Sequence, residues 1–214
     1  MGENDLRKKN ISDAVIRRLP RYYRKLTDLY ESGVVRISSR SLGGEMGITA
    51  SQIRQDFSCF GEFGQQGYGY HVEELRAEIG HILGMDQEHR LIIIGAGHLG
   101  HALLQNFPFA DTGFTVNAAF DISPTVIGSS VNGVPIYAMN DLEAFLRNNP
   151  VDVVALTVPQ NAARGIAERL IALGVSGFWN FTNLELESNN PNVKFENIHF
   201  SDSLLTLSYR IANR

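Results

Sequence analysis

The pattern of apolar and polar positions changes near residue 85. Before that point, apolar residues recur every three or four positions in the segments 15–30, 39–46, 50–60 and 72–83, which is the spacing of amphipathic helices. After it, uninterrupted apolar runs alternate with helical segments, as in strands buried on both faces of a sheet. The sequence therefore predicts a helical domain over 1–84, an α/β domain over 85–200 and a terminal helix over 201–214.

Proline, glycine and capping residues divide the first domain. Pro20 predicts either a kink in the first helix or a short helix that ends at Leu19 before a new one begins. Thr49 and Gln52 have the capping-box spacing, in which the Thr hydroxyl accepts an N–H group and the Gln side chain reaches back. The segment 61–70 has four glycines and three aromatic residues and predicts a β-hairpin. Three helices and a hairpin are the order of a winged helix-turn-helix domain.

The second domain is predicted to hold a parallel, doubly wound sheet with helices between its strands. A last amphipathic helix follows, with Ser201 as its N-cap. We expect the strands at 91–94, 114–120, 134–137, 151–158, 177–181 and 193–200.

A glycine motif directly follows the first of these strands and opens a helix. Its residues are Gly95, Ala96, Gly97, His98, Leu99 and Gly100. The first glycine permits a tight turn, the second lets the backbone approach a phosphate, and the third allows close packing of helix on strand. The N–H groups at the helix start would face a pyrophosphate. The motif predicts a dinucleotide site. A glycine turn used for packing, or a related ligand such as a coenzyme A derivative, is the alternative.

Further candidate ligand residues lie at the ends of later strands. Asp121 ends the second strand, where a carboxylate would bind ribose hydroxyls and repel a 2′-phosphate, which favours NAD(H) over NADP(H). The fourth and fifth strands end at the carboxyl edge, where open α/β folds bind ligands. The alternative is that Pro159 only starts a helix and Asn180 only caps a strand. The residues expected to flank the nicotinamide are Thr157, Val158, Pro159 and Asn180.

Composition and charge narrow the class of protein. The chain is 43% hydrophobic, with no apolar run near the ~20 residues that a membrane helix needs. Its polar start has no secretory signal, and a single Cys59 excludes an intrachain disulfide, so we expect a cytoplasmic protein. The net charge of −4 is uneven, because residues 1–60 hold 11 Lys and Arg against 7 Asp and Glu. A basic N-terminal region followed by an acidic remainder favours a nucleic-acid partner, unless the imbalance of charge is chance surface variation.

The outward face of the third helix is polar and cationic, as in a helix that reads DNA. Recognition helices present their N-terminal residues to base edges, whereas basic side chains around them contact phosphates. The predicted contacts to double-stranded DNA are Ser51, Gln52, Arg54, Gln55, Ser58, Arg21, Arg24 and Arg40, with Gln65, Gln66 and Tyr68 in the wing.

Residues that would support catalysis are missing from the pattern. His98 and His101 lie three apart, but no His, Cys or carboxylate near them in sequence completes a metal site. No His-Asp or Lys-Tyr pair stands out for proton transfer, and His199 is the only late histidine. We therefore predict no metal and no catalytic residue, hence a sensor and not an enzyme. One alternative is a small NAD-dependent oxidoreductase whose first domain resembles a DNA-binding domain but is inactive. The other is a CoA-type or nucleotide-binding module that serves as a scaffold for protein interactions.

These segments together resemble the Rex family of bacterial redox-sensing transcriptional repressors, over nearly the whole chain. The resemblance implies a homodimer that sits on a palindromic operator while NADH is scarce and is released when NADH binds. It also implies that the C-terminal helix is swapped into the partner subunit. The segments that carry it are RLPRYYR (18–24), SQIRQDFS (51–58), FGEFG (60–64), GYGY (67–70), IGAGHLG (94–100), AFD (119–121), GVPIY (133–137), LTVP (156–159) and NFT (180–182).

Two positions depart from the family's usual pattern. The wing tip is usually basic but here is Gln65-Gln66, and the glycine motif often has Asn where this chain has His98. The first departure removes phosphate-attracting charge, so minor-groove contact would depend on hydrogen bonds and groove shape. The second leaves all three glycines in place.

Overall fold

The structure, a computed structural model, describes residues 11–61, 63–64 and 68–213. It divides into two compact units, the first ending at Gln87 and the second beginning at Glu88. The sequence predicts this boundary three residues earlier, after Gly84. Within the described residues, no helix is both long and apolar enough to cross a membrane.

The first unit is a small helical bundle with a two-stranded sheet. Its core includes Tyr22, Leu26 and Ile53, none of which is exposed. Pro20 lies in the first turn of the second helix, where its missing N–H costs nothing. The predicted alternative of two separate helices is confirmed, but the first ends at Ile16 and not at Leu19, and the second begins at Leu19. The elements are α1 (Asp13–Ile16), α2 (Leu19–Glu31), β1 (Arg36–Ile37), α3 (Ser39–Met46), α4 (Ala50–Ser58), β2 (Tyr70–His71) and α5 (Val72–Ile82).

The hairpin predicted within 61–70 is wrong in its pairing. β2 pairs antiparallel with β1, a strand that precedes α3, with Ile37 opposite Tyr70. Both of these side chains are buried, so the pair closes the core of the unit. Gly69 has a φ of +71°, and a Cβ there would lie 2.6 Å from the Ile37 carbonyl oxygen. Close approach to β1 therefore requires a glycine at this position.

The capping box predicted at the start of α4 forms only by half. Thr49 accepts a hydrogen bond from the Gln52 N–H at 3.1 Å, as expected of an N-cap. The Gln52 side chain does not reach back to the cap. It donates instead to Asp56, one turn further along the helix, at 2.8 Å.

The second unit is a seven-stranded sheet with helices on both faces. Six strands are parallel, in the order β6-β4-β3-β7-β8-β9, and β5 pairs antiparallel with β6 at the edge. Leu142 and Leu170, from α7 and α8, pack on one face, and Leu104 from α6 packs on the other. The elements are β3 (His89–Ile94), α6 (His98–Asn106), β4 (Phe114–Asp121), β5 (Ser130–Val131), β6 (Val134–Ala138), α7 (Leu142–Asn148), β7 (Val153–Leu156), α8 (Gln160–Ala172), β8 (Gly177–Asn180), β9 (Lys194–Asn197) and α9 (Phe200–Ala212).

The end of the chain differs from the sequence prediction. The last strand, β9, covers four of the eight residues predicted for it. The terminal helix α9 begins at Phe200 with His199 as its N-cap, so the prediction of Ser201 as N-cap is wrong. The ring of His199 is instead 2.7 Å from Glu185, in the loop between β8 and β9. No residue of α9 is buried, and its large apolar side chains are more than half exposed.

Candidate functional sites

The glycine motif lies where the order of the strands reverses. β3 stands between β4 and β7, and the chain leaves β3 to form the loop that opens α6. Counting only the parallel strands in chain order, the sheet reads 3-2-1-4-5-6, the order found in dinucleotide-binding folds. Ligands of such folds bind outside the carboxyl ends of the strands at this reversal. The predicted nucleotide residues come from the ends of β3, β4, β7 and β8.

Two glycines of the motif are required by the protein's own packing. Gly95 has a φ of +99°, and a Cβ there would lie 2.7 Å from the Thr157 carbonyl oxygen. A Cβ at Gly100 would overlap the Gly95 carbonyl oxygen. The Thr157 hydroxyl donates to that same carbonyl at 2.6 Å. These contacts fix the loop between β3, β7 and α6, and they need no ligand to explain them.

Gly97 differs from its neighbours in the motif. It is exposed, its φ of −67° is open to any residue, and a Cβ would meet no atom of the chain within 4 Å. Neither backbone strain nor packing within the described chain requires a glycine here. Gly97 is the N-cap of α6, and the first N–H groups of a helix have no partner within it. This bare main chain at a helix start fits an approaching phosphate.

Asp121 lies beside this loop at the end of β4. One carboxylate oxygen accepts a hydrogen bond from the Ala96 N–H at 2.6 Å, and the other accepts from the Ser123 N–H at 2.8 Å. The side chain is only half-buried. Each oxygen therefore keeps acceptor capacity for a hydroxyl group. The position suits a carboxylate that binds a ribose and also holds the loop.

The residues that follow β7 border the loop on its other side. Thr157 and Val158 are half-buried, and Pro159 is exposed as the N-cap of α8. The Thr157 N–H continues the pairing with β3 by donating to Ile94 at 2.9 Å. All three lie at the carboxyl edge, as the sequence predicts.

Asn180 reaches the same edge, but its side chain faces the interior. It is fully buried, and its amide nitrogen donates to the Leu184 carbonyl and to Asn197, each at 2.7 Å. Its amide oxygen accepts from the N–H and the hydroxyl of Thr182. The side chain is fully used within the protein, which agrees with the strand-capping alternative. Asn180 shapes the edge through the loop after β8.

The two histidines of α6 have no metal-binding group around them among the described residues. His98 and His101 are both exposed. Across the part of the chain that the structure describes, no group of three or more His, Cys, Asp or Glu side chains could hold a metal ion.

In the first unit, α4 presents four of its five predicted DNA contacts to solvent. Gln52 is half-buried, and the Arg54 guanidinium donates to the Ser39 hydroxyl at 3.0 Å, which connects α4 to the start of α3. Gln65 and Gln66 lie outside the described residues. The predicted contacts that are exposed are Ser51, Arg54, Gln55, Ser58, Arg21, Arg24, Arg40 and Tyr68.

A buried carboxylate on α4 was not among the sequence-predicted residues. Asp56 is fully buried, and Arg18 donates to both of its oxygens, at 2.6 and 2.8 Å. The Tyr22 hydroxyl donates at 2.7 Å and the Gln52 amide at 2.8 Å. Four donors thus occupy the roughly four acceptor positions of a carboxylate. We call Asp56, Arg18, Tyr22 and Gln52 together the Asp56 cluster. The cluster joins α4 to α2 and to Arg18, the residue before α2.

The electrostatics of the Asp56 cluster favour an ionised carboxylate. Burial raises the pKa of Asp56, but the hydrogen bonds from Arg18, Tyr22 and Gln52 outweigh it and hold that pKa below its usual range. Burial also raises the pKa of Tyr22, as does its hydrogen bond to Asp56. A signal for the cluster exists in the sequence, since Asp56 stands three residues after Ile53 on the apolar face of α4.

Comparisons with known proteins agree with the division of the chain into two units. Residues 10–58 match the family model described as the putative DNA-binding protein N-terminus, and residues 86–184 match the model described as the CoA binding domain. A redox-sensing transcriptional repressor Rex from Clostridium tetani is 47% identical over 203 residues, which cover 95% of this chain and 96% of that protein. One from Clostridium botulinum is 45% identical with the same coverage. The chain belongs to the Rex family.

Solved structures of a Rex-family repressor, RSP, have the same fold. RSP in complex with β-NAD⁺ and operator DNA superposes with a TM-score of 0.89 at 46% identity, covering 95% of this chain and 93% of that chain. RSP in complex with β-NADH has a TM-score of 0.89 at 43% identity, covering 96% of each. The predicted fold class, a winged helix-turn-helix unit followed by a Rossmann-like unit, is confirmed. Rex proteins are regulators, so the prediction of a sensor over a dehydrogenase also agrees with the family.

Proposed function

We propose that this Rex-family protein represses transcription by binding operator DNA as a homodimer and leaves the DNA when NADH binds its second unit. One observation carries the proposal: a repressor of the same fold and 43–46% identity has been solved with β-NAD⁺ and operator DNA, and with β-NADH. The NADH to NAD⁺ ratio would thereby control the regulated genes. Such a repressor acts in the cytoplasm, where bacterial DNA lies.

The nucleotide would bind along the carboxyl edge of the second unit. Its pyrophosphate would approach Gly97 and the first N–H groups of α6, while Asp121 binds the adenosine ribose. The open space at Gly97 supports this assignment. Asn180 is retained as a residue that shapes the edge. The remaining proposed contacts are Gly95, Ala96, His98, Leu99, Gly100, Thr157, Val158 and Pro159.

The exposed face of α4 would enter the major groove, with basic residues of α2 and α3 on the phosphates. The first unit has an excess of positive charge over residues 1–60, which supports this orientation towards DNA. The proposed contacts remain those predicted from the sequence, including Gln65 and Gln66 of the wing.

The dimer would use α9. This 13-residue helix buries none of its residues, and its apolar Leu204 and Leu205 are each 67% exposed. An apolar stripe of this kind gains stability when a partner surface covers it. We propose that the partner is a second copy of the chain, with α9 swapped between protomers and the second units in contact.

A linkage experiment tests the switch. If NADH favours the form that does not bind DNA, operator DNA must weaken NADH binding by the same factor by which NADH weakens DNA binding. NADH is titrated into the full-length protein with and without operator duplex. We expect the dissociation constant for NADH to be larger with the duplex than without it. Equal constants would refute the switch, and failure to bind any duplex would refute the repressor.

The matched CoA binding domain model leaves coenzyme A as a specific competing ligand. NADH, NADPH and a CoA ester are compared by quenching of Trp179, a half-buried residue of β8 near this edge. We expect NADH to quench at the lowest concentration. A CoA ester that binds more tightly would favour a CoA-responsive regulator.

A further inference from the structure

Gln52 occupies the third position of α4, where a recognition helix enters the groove. Its N–H is capped by Thr49, which fixes the backbone at this position. Ser51 and Gln55, its neighbours on the helix surface, are both exposed, whereas Asp56 beneath it is fully buried. Gln52 therefore lies at the boundary between the Asp56 cluster and the surface that the proposed function assigns to DNA.

The Asp56 cluster permits only one orientation of the Gln52 amide group. An ionised carboxylate only accepts hydrogen bonds, so the amide must turn its NH₂ group towards Asp56, as the 2.8 Å contact shows. The reversed orientation would bring two acceptor oxygens together. Asp56 cannot rotate to relieve that clash, because Arg18 holds both of its oxygens and Tyr22 donates to one of them.

This orientation determines which hydrogen-bonding groups remain on Gln52. One N–H is used by Asp56, which leaves the amide oxygen as an acceptor and the second N–H as a donor. An acceptor beside a donor on one amide edge matches the N6 amino group and N7 of adenine in the major groove. Guanine presents two acceptors there and cytosine presents a donor only, so neither satisfies both groups.

We infer that Gln52 is a specificity-determining residue that reads one adenine in each operator half-site, and that Asp56 is the positioning residue that fixes its amide for this purpose. The inference rests on the proposed DNA-binding function and deepens it by assigning a base to one side chain. Arg18 and Tyr22 act one step further back, by keeping the Asp56 carboxylate in place.

The first test compares the wild-type protein with Gln52→Met, which keeps the bulk of the side chain and removes both hydrogen-bonding groups. Base preferences of each full-length protein are selected from a library of random inverted-repeat duplexes without NADH. We expect one adenine per half-site whose preference, about tenfold in the wild type, is lost in the variant. Gln87→Met, the same change at an exposed glutamine outside the proposed DNA contacts, is the control and should keep that preference. An unchanged profile for Gln52→Met would overturn the inference.

A modified base tests the atom that is read. 7-Deazaadenine at the same position lacks N7 and should weaken wild-type binding about tenfold, with no further loss for Gln52→Met. An equal loss in both proteins would contradict the pairing. This test leaves the Asp56–Arg18 ion pair untouched, so it does not depend on a variant that disturbs the fold.

Asp56→Asn separates positioning from stability. An asparagine can donate as well as accept, so Gln52 is no longer held in one orientation. We expect loss of preference at the same adenine, with NADH binding by the second unit retained. A uniform loss of affinity for every duplex would mean that Asp56 is only structural. Binding by Asp56→Asn with an unaltered base profile refutes this inference alone, whereas absence of any duplex binding by the wild-type protein refutes the proposed function.

Discussion

The two candidate sites are built in opposite ways. The proposed recognition helix α4 is held by side chains, because four donors converge on the buried carboxylate of Asp56. The proposed nucleotide loop is formed by main chain, because a Cβ at Gly95 would collide with backbone and one at Gly97 would fill open space. The first site should therefore fail when a group is removed, and the second when a group is added.

The largest effect is expected from Arg18→Ala. Removal of the guanidinium leaves the fully buried Asp56 carboxylate without its charged partner, which costs about 3–5 kcal/mol of folding free energy. Hydrogen exchange of the α4 amides and denaturant unfolding measure the loss. Arg24→Ala, an exposed cation on α2, is the control and should stay within about 0.5 kcal/mol of the wild type. Equal stability of the two variants would contradict the view that the Asp56 cluster holds α4 in place.

Alanine substitutions at two glycines of the loop at 95–100 test the second site. Gly95→Ala forces a left-handed φ of +99° on a residue with a Cβ and should cost at least about 2 kcal/mol. Gly97→Ala should leave stability within about 0.5 kcal/mol, because the added methyl touches no atom of the chain. We expect the same methyl to weaken NADH binding at least about tenfold. Normal NADH binding by Gly97→Ala would mean that no phosphate approaches this residue.

A smaller effect is expected from Asp121→Ser. Loss of the carboxylate removes repulsion of a 2′-phosphate, so the preference for NADH over NADPH should narrow by about tenfold. Titration of both nucleotides gives the ratio. Asp111→Ser, an exposed acid elsewhere in the second unit, should leave it unaltered. An unchanged ratio in Asp121→Ser would assign the ribose to other groups.

The smallest expected effect is a pH dependence confined to the first site. The pKa of Asp56 is lowered in the folded protein, so its charge stabilises the fold above about pH 4, the range of an unfolded aspartate, and this contribution is lost as the pH falls through the folded pKa. The difference in unfolding free energy between wild type and Asp56→Asn should shrink below pH 4. A difference that stays constant down to pH 3 would show that the charge of Asp56 contributes nothing.

Features that depend on neighbouring residues were predictable from the sequence. Gly47 ends α3 in the left-handed conformation, Thr49 caps α4, and the strand–glycine–helix order locates the loop at 95–100. Asp121 was predictable because β4 ends beside β3 in a doubly wound sheet. One local signal was overlooked: Asn132-Gly133, both with positive φ, forms the tight turn between β5 and β6.

Features that depend on distant pairing were not predictable. Arg18 and Asp56 are 38 residues apart, and nothing in either segment specifies the other. The partner of β2 is β1 because Ile37 and Tyr70 close the same core, which only the packed unit reveals. Asn180 lies at the predicted edge, yet the loop that follows β8 and Asn197 of β9 together take up its whole side chain.

The bare main chain at Gly97 has a consequence for how such a regulator can adapt. Peptide N–H groups are the same whatever the residue, so a larger residue at Gly97 can obstruct the phosphate but offers no side-chain group with which to strengthen its binding. Fine adjustment of the NADH concentration at which the proposed regulator responds would then come from side chains proposed to border the nucleotide, such as Asp121, or from the balance between the DNA-bound and free forms. Relatives that live under different oxygen supply would then differ at those positions and share this one.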